Sequence, residues 1–300
     1  MTAKVILNPY SSRWKAGKRQ QEIEAALRNT GIEYELALTD EPGHAMALAK
    51  EALTLGFNPI IAAGGDGTIS EVVNGLMLAS KNEPLPALGV LPLGTANDLA
   101  INLGIPTDIP SAVQIIAGGV TKQLDVCQAN ERYFVNNAGL GLESYISTIQ
   151  NGLTTVHGIL RYLLAALIGI FRNPQWKMKI EWDDGSYEGP VTLISIGNAP
   201  LTGGVFYTVP HANPFDGKLS AIYGHIPTRI KILAALPKIM RKDKGNITEH
   251  PAVEGINCTW IRVTTEPPTP AHADGEIFET SISALEYKIH PAQLPILTGN

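Results

Sequence analysis

The 300-residue chain has only two cysteines, Cys127 and Cys258, and neither sits in a Cys-x-x-Cys. That excludes a disulfide framework and the usual zinc spacing, and it points to a reducing cytoplasm. Charge of one sign is also scarce. The 23 Lys and Arg against 28 Asp and Glu leave a net of −5, so no whole-chain field attracts nucleic acid or an anionic membrane, and any basic contact must be a local patch. No nucleic-acid partner is expected. The most apolar stretch, residues 159–171 (ILRYLLAALIGIF), is broken by Arg161 and falls short of the roughly 20 residues that span a bilayer. The opening residues MTAKVILNP pass into a strand pattern with no charged n-region, apolar core or cleavage site, so a mature cytosolic protein is expected. Neither standard nucleotide motif is present: there is no Gly-x-x-x-x-Gly-Lys-Ser/Thr, and Gly139-x-Gly141 lacks the third glycine of a dinucleotide fingerprint. With 44% hydrophobic and 17% charged residues, disorder and collagen are excluded and a globular fold of one large or two ordinary domains is expected.

What the sequence does contain is a change of pattern near its middle. From residue 4 to 125, apolar runs alternate with helical ones: KVILN, 22–28, YELAL, 44–55, PIIAAGG, 69–78, ALGVLPLG and 97–102. Strand then helix, repeated, predicts a doubly wound α/β domain around a parallel sheet. Apolar strands that end in Asn, Gly or Pro before a helix gather their loops at the carboxyl edge, where such sheets bind ligands. Beyond about residue 125 the chain is strand-rich, with alternating apolar residues in KMKIEWDDGSYEG, PVTLISIGNA, KLSAIYG and INCTWIRVTT and turn pairs such as Asp184-Gly185 and Asp216-Gly217. An antiparallel β-sandwich is predicted, interrupted by helical segments at 158–171 and 228–240. The run EPPTP at 266–270 reads as a rigid polyproline connector. Two domains are expected, 1–126 and 127–300, with a cleft between them and the last few residues free to return to the first.

The densest local signal is Gly64-Gly65-Asp66-Gly67-Thr68-Ile69-Ser70-Glu71, which follows the strand IIAA and opens a helix carrying Val72, Val73 and Leu76. Glycines let the backbone approach a phosphate, and free N–H groups at a helix start favour an anion. Asp66 would repel a bare phosphate. An acid inside such a cradle therefore points to a held Mg²⁺, an oriented nucleophile, or a hydrogen bond to a ribose or hydroxyl. Thr68-x-x-Glu71 also reads as a capping box, which serves the helix with no ligand. A second turn, Leu91-Pro92-Leu93-Gly94-Thr95-Ala96-Asn97-Asp98, repeats the design, and Thr95-x-x-Asp98 again offers a cap and an acid.

GGDGTISEVVNGL followed by LPLGTANDLA resembles the diacylglycerol kinase catalytic domain of the lipid kinase family, which includes bacterial lipid kinases, sphingosine kinases and ceramide kinases. The resemblance extends over nearly the whole chain through NNAGLGLE (136–143), IGNAPLTGG (196–204), NPFDGKL (213–219) and ADGE (273–276). GGDGT alone is shared with NAD kinases; its combination with LPxGTxND and a late DGE is far more specific. The resemblance implies a nucleotide-binding α/β domain of the NAD kinase and diacylglycerol kinase type, followed by a lipid-acceptor β-sandwich.

By the same resemblance, Thr39, Gly65, Asp66, Gly67, Thr68, Ile69, Ser70, Glu71 and Thr95 would bind ATP. Glu276 would be the general base for the lipid hydroxyl, with Asp66 and Asp98 catalytic at the ATP-bound Mg²⁺, an ion within possible reach of Asp125. Read without the family, Thr39 is also a helix cap and Asp274-Gly275 an ordinary hairpin turn. The NPFDGKL loop implies a separate cation, Mg²⁺ or Ca²⁺, held by the Asp216 side chain and by backbone carbonyls near Asn213 and Lys218. One departure stands out: Asn8-Pro9-Tyr10-Ser11-Ser12 occupies the place of Asn-Pro-x-Ser-Gly in many relatives. Lys15, Lys18 and Arg19 beside it either meet phosphates and headgroups or form a solvated basic face. His157 and His211 have no metal spacing and read as structural, and Trp176, Trp182 and Trp260 fit strand faces.

Together these readings predict an ATP- and Mg²⁺-dependent kinase that phosphorylates the hydroxyl of diacylglycerol or a similar lipid. It would be a cytoplasmic protein in transient contact with the inner face of the membrane. Residues 159–171 would line an acyl channel, touch the bilayer or form a core helix. The alternatives are an NAD kinase with a soluble acceptor and a lipid- or nucleotide-binding protein without turnover. Oligomeric state leaves no signal.

Overall fold

The computed structural model describes residues 2–80, 83–153 and 159–299. His157 and the expected helix start at Gly158 lie outside them. The chain divides into two compact units, one of residues 1–126 with 291–300 and one of residues 127–290.

The first unit is built on parallel strands β1 (Ala3–Leu7), β2 (Tyr34–Leu38), β3 (Ile60–Gly64) and β4 (Leu88–Pro92), in the order β2-β1-β3-β4. Every residue of β1, β3 and β4 is buried. Since successive side chains point to opposite faces, the sheet is covered on both, which is why these strands read as unbroken apolar runs. Its helices are α1 (Ser11–Trp14), α2 (Gln20–Thr30), α3 (His44–Thr54), α4 (Asp66–Ala79), α5 (Asp98–Asn102) and α6 (Ile109–Gly118), with α3 packed on α4 and α2 on α6. The sequence reading did not include α6. Its signals were present: Asp108 caps it by accepting from the Ser111 N–H at 2.9 Å, Pro110 sits in its first turn, and Gly119 ends it at φ 67°.

Strand β5 (Thr121–Ala129) leads into the second unit, which holds β6 (Arg132–Phe134), β7 (Asn137–Gly141), α7 (Leu142–Gly152), α8 (Ile159–Arg172), β8 (Trp176–Trp182), β9 (Gly185–Val191), β10 (Leu193–Gly197), β11 (Leu219–Gly224), α9 (Arg229–Ile239), β12 (Val253–Cys258), β13 (Trp260–Ala273) and β14 (Glu276–Leu297). Its antiparallel strands run β12-β11-β10-β7-β13-β14, with β8 and β9 carried on β13. Phe134 and Tyr287, both fully buried, meet edge to face with centroids 6.3 Å apart in its core. The fold class is thus the expected one, an α/β half followed by an antiparallel β half. β14 then runs on into the first unit, where Ile296 pairs in parallel with Leu88 of β4.

Three local features add to or correct the sequence reading. EPPTP is no connector: residues 266–270 lie inside β13, which absorbs them through register shifts against β14 between Thr264 and Thr269. Prolines cannot donate to a ladder, and a bulge is where a strand tolerates them. Asp216-Gly217 is a turn, as expected, with Gly217 at φ 71°, but it lies in the long segment between β10 and β11 and joins no pair of strands directly. Helix α7 was hidden because it starts directly after Gly141, at φ 79°, in a glycine-rich run.

Candidate active site

Strands β1, β3 and β4 deliver Asn8, Gly65 and Leu93 to one edge of the parallel sheet, and the turns that leave β3 and β4 interlock. The Leu93 N–H donates to the Gly64 carbonyl at 2.8 Å. Gly65 and Gly94 meet backbone to backbone: a Cβ on Gly94 would lie 2.6 Å from Gly65 Cα and 2.8 Å from Asn97 Oδ1. Asn97, at φ 55°, closes the second turn by accepting from the Gly94 N–H at 2.8 Å. Gly94→Ala is expected to force the two turns apart and cost about 1–3 kcal/mol, measured by denaturant unfolding; wild-type stability would show that the turns have room to spare.

Asp66 opens α4, and its partly buried carboxylate accepts from the Leu99 N–H at 3.4 Å. Burial pushes its pKa up, and the N–H groups of Leu99, Asn97 and Asp98 pull it part of the way back. The N-cap of α4 is Gly65 in extended conformation with no side-chain cap, so the first-turn N–H groups are left for an anion. Neither expected capping box forms. The Gly-Asp sequence starts α4 before Thr68, whose Oγ1 accepts from Asn8 Nδ2 at 3.0 Å. Likewise α5 starts at Asp98 after a left-handed Asn97, also without a side-chain cap. Thr95 is exposed and Asp98 is buried. Ser11 Oγ accepts from the Gly65 N–H at 3.3 Å, and Ser12 takes φ 53°. The loop thus keeps a glycine-like backbone at the position where a glycine was expected.

Other predicted nucleotide residues have structural duties as well. The Glu71 carboxylate accepts from the N–H groups of Gly43 at 2.8 Å and Ala45 at 3.1 Å, so it caps α3 from a distance. Thr39 does not cap α3; it is buried, and its N–H donates to the Leu7 carbonyl at 2.9 Å. Ile69 and Ser70 are each 1% exposed and sit in the core behind the turn. Glu71→Ala is expected to cost about 1–2 kcal/mol of stability, read from the melting curve. An unchanged melting temperature would mean the cap is dispensable.

In the second unit, Asp274 and Gly275 take φ 48° and 79° and join β13 to β14 in a tight two-residue hairpin. The Asp274 carboxylate accepts from the N–H groups of Asn136 at 2.8 Å and Val135 at 3.1 Å, and its own N–H donates to the Asn137 carbonyl at 2.7 Å. The hairpin is thereby tied to the β6–β7 connection. Glu276 begins β14 with its side chain 49% exposed, and Arg132 Nη2 lies 3.0 Å from its Oε2. Sequence reasoning missed Arg132, because nothing in ERYFV marks it. In the 213–219 loop, Asp216 Oδ1 accepts from the Lys218 N–H at 3.0 Å and Asn213 Oδ1 from the Phe215 N–H at 3.2 Å, all at the surface. A lone carboxylate with backbone carbonyls suits a hard cation. Among the described residues, no three His, Cys, Asp or Glu side chains converge as a metal cluster.

Two family models divide the chain between them: residues 2–129 match the diacylglycerol kinase catalytic domain, and residues 136–298 match the YegS C-terminal NAD kinase beta sandwich-like domain. A diacylglycerol kinase of Staphylococcus saprophyticus is 31% identical over 279 residues, covering 91% of this chain and 88% of that protein. This chain belongs to the diacylglycerol kinase family. A protein of Escherichia fergusonii named "Probable lipid kinase YegS" is 32% identical over 266 residues, with 87% of this chain and 86% of that one covered. A solved diacylglycerol kinase structure from Bacillus anthracis has the same fold, with TM-score 0.76, 23% identity and coverage of 99% of this chain and 97% of that one. Membership in the diacylglycerol kinase family implies a kinase with ATP and a lipid as substrates. No helix among the described residues is long and apolar enough to cross a membrane.

This diacylglycerol kinase family member also holds an apolar cavity that the sequence did not announce. It lies within the second unit, lined by Leu142 and Ile146 of α7, Ile170 of α8 and Ile232, Leu236 and Ile239 of α9. Its polar exceptions include Thr208, whose buried hydroxyl has no hydrogen-bond partner, and Glu143. The Glu143 carboxylate accepts from Ser195 Oγ at 2.7 Å and Asn137 Nδ2 at 3.2 Å, with the buried His272 Nε2 at 3.3 Å.

Proposed function

We propose that this protein transfers the γ-phosphoryl group of ATP to the hydroxyl of a lipid alcohol, diacylglycerol or a similar lipid, in a Mg²⁺-dependent reaction. The interlocked Gly65 and Gly94 turns, with the partly buried Asp66 set among backbone N–H groups, are the observation that carries this reading. Residues 1–126 would hold ATP, with the phosphates against Gly65, Gly67 and Thr68 and with Thr39 and Thr95 in the loops that follow β2 and β4. Asp66 and Asp98 are the carboxylates suited to hold Mg²⁺, which would neutralise charge on the β- and γ-phosphates; Asp125, whose carboxylate accepts from the Ala292 N–H at 2.7 Å, would contribute only through water. A second cation, Mg²⁺ or Ca²⁺, would be held by Asp216 with the carbonyls of Asn213 and Lys218, in a structural role.

Residues 127–300 would supply the acceptor site, with the hydrocarbon of the lipid in the apolar cavity under α7, α8 and α9. Glu276, aimed by Arg132, would take the proton as the lipid oxygen bonds to the γ-phosphorus. The bond from that phosphorus to the β–γ bridging oxygen breaks, and ADP leaves with the electron pair. Such a protein would work in the cytoplasm, reaching lipid at the inner face of the membrane. Offering γ-labelled ATP together with NAD and micellar diacylglycerol decides between acceptors. Label in lipid supports the reading; label in NAD would replace it with a nucleotide kinase.

A further inference from the structure

Helix α8 is amphipathic the wrong way round for a soluble protein. It buries its small side, Ala165, Ala166 and Gly169, together with Ile170, and seats it closely: a Cβ on Gly169 would come within 2.9 Å of Ile146 on α7. Its large apolar side chains face outward, with Leu160 63%, Leu163 40%, Leu164 36%, Leu167 42% and Phe171 67% exposed. At 100° per residue these five share one face. Beside α8 packs α9, where Ile230 is 79% exposed and Met240, just past its end, 49%. The segment 229–244, RIKILAALPKIMRKDK, carries six basic side chains against one acid, a net of +5 in a chain whose total is −5. All six cations except Lys238, which is half-buried, are exposed.

We propose that the outer stripe of α8 and the basic segment 229–244 form one docking face for an anionic phospholipid bilayer. The pairing of the two features selects this occupant. Exposed Leu and Phe at helical spacing enter the acyl boundary, while Lys and Arg beside them meet phosphate headgroups, and stable surface binding needs both signals. A second copy of the chain would bring the same positive charge against itself. The proposal rests on exposure and charge and does not depend on phosphoryl transfer; it locates the membrane contact that a lipid kinase requires.

Sedimentation of the full chain, without nucleotide, with phosphatidylcholine vesicles that contain or lack phosphatidylglycerol tests it. Binding is expected only to the anionic vesicles and should weaken as salt rises. Arg241→Glu/Lys242→Glu is expected to lower the partition by on the order of tenfold or more, since each cation near an anionic surface contributes about fivefold, while phosphorylation of micellar lipid stays unchanged. Leu164→Asp/Leu167→Asp is expected to release the protein as well. Circular dichroism confirms that both variants fold. The proposal is overturned if wild-type protein ignores anionic vesicles, binds pure phosphatidylcholine equally, or is matched by the variants. It is also overturned if the leucine variant turns a dimer into a monomer, which would make the stripe a contact between copies. Micellar turnover beside vesicle binding separates a failed docking face from a failed kinase reading.

Discussion

Glu276→Gln is expected to lower kcat by about 10²- to 10⁴-fold and to leave the fold in place. The amide has the size and shape of the carboxylate but cannot accept the proton of a hydroxyl. The hairpin that presents residue 276 is held by Asp274 through the N–H groups of Val135 and Asn136, and that anchor is untouched. The ion pair with Arg132 is lost, yet Glu276 is half exposed, and pairs of that kind contribute about 1 kcal/mol or less. Initial rates measured beside a melting curve check both halves. A variant with the wild-type rate would remove Glu276 from the reaction.

Asp66→Asn is expected to separate stability from activity. Burial lifts the Asp66 pKa above its unfolded value, so folding works against the charged form. The folded state binds the proton more tightly than the unfolded state, and stability therefore falls as pH rises from the unfolded value of about 3.9 through the raised folded one. At neutral pH the wild type carries that penalty in full and the neutral Asn carries none. The variant should melt higher than wild type at pH 7, with the gap closing toward pH 3. Activity should drop about 100-fold or more, because the anion proposed to hold Mg²⁺ is gone. A variant that melts lower at pH 7 would contradict the burial argument, and one that keeps wild-type kcat would contradict the site.

The sequence made the frame of the molecule readable and left its cross-connections invisible. β1, β3 and β4 were legible because strands covered on both faces are unbroken apolar runs. The glycine turns were legible because a close backbone approach requires glycine, as the Gly65 and Gly94 contact does. The capping boxes failed because local spacing does not say where a helix starts once a glycine can serve as its cap. Glu71 reaches a loop 28 residues away, and Arg132 meets Glu276 from 144 residues away. No local pattern encodes either pairing. For residues 159–171 the sequence left acyl channel, bilayer contact and core helix all open, because periodicity marks an apolar stripe but not whether the core or the solvent receives it.

Phosphoryl transfer from γ-labelled ATP to a panel of micellar lipids with Mg²⁺, read by chromatography with Glu276→Gln in parallel, tests the central claim most directly. The account predicts a labelled lipid phosphate, from diacylglycerol or another lipid alcohol, that disappears in the variant. ATP binding confirmed by titration with no lipid labelled would contradict it and leave a binding protein on a kinase fold.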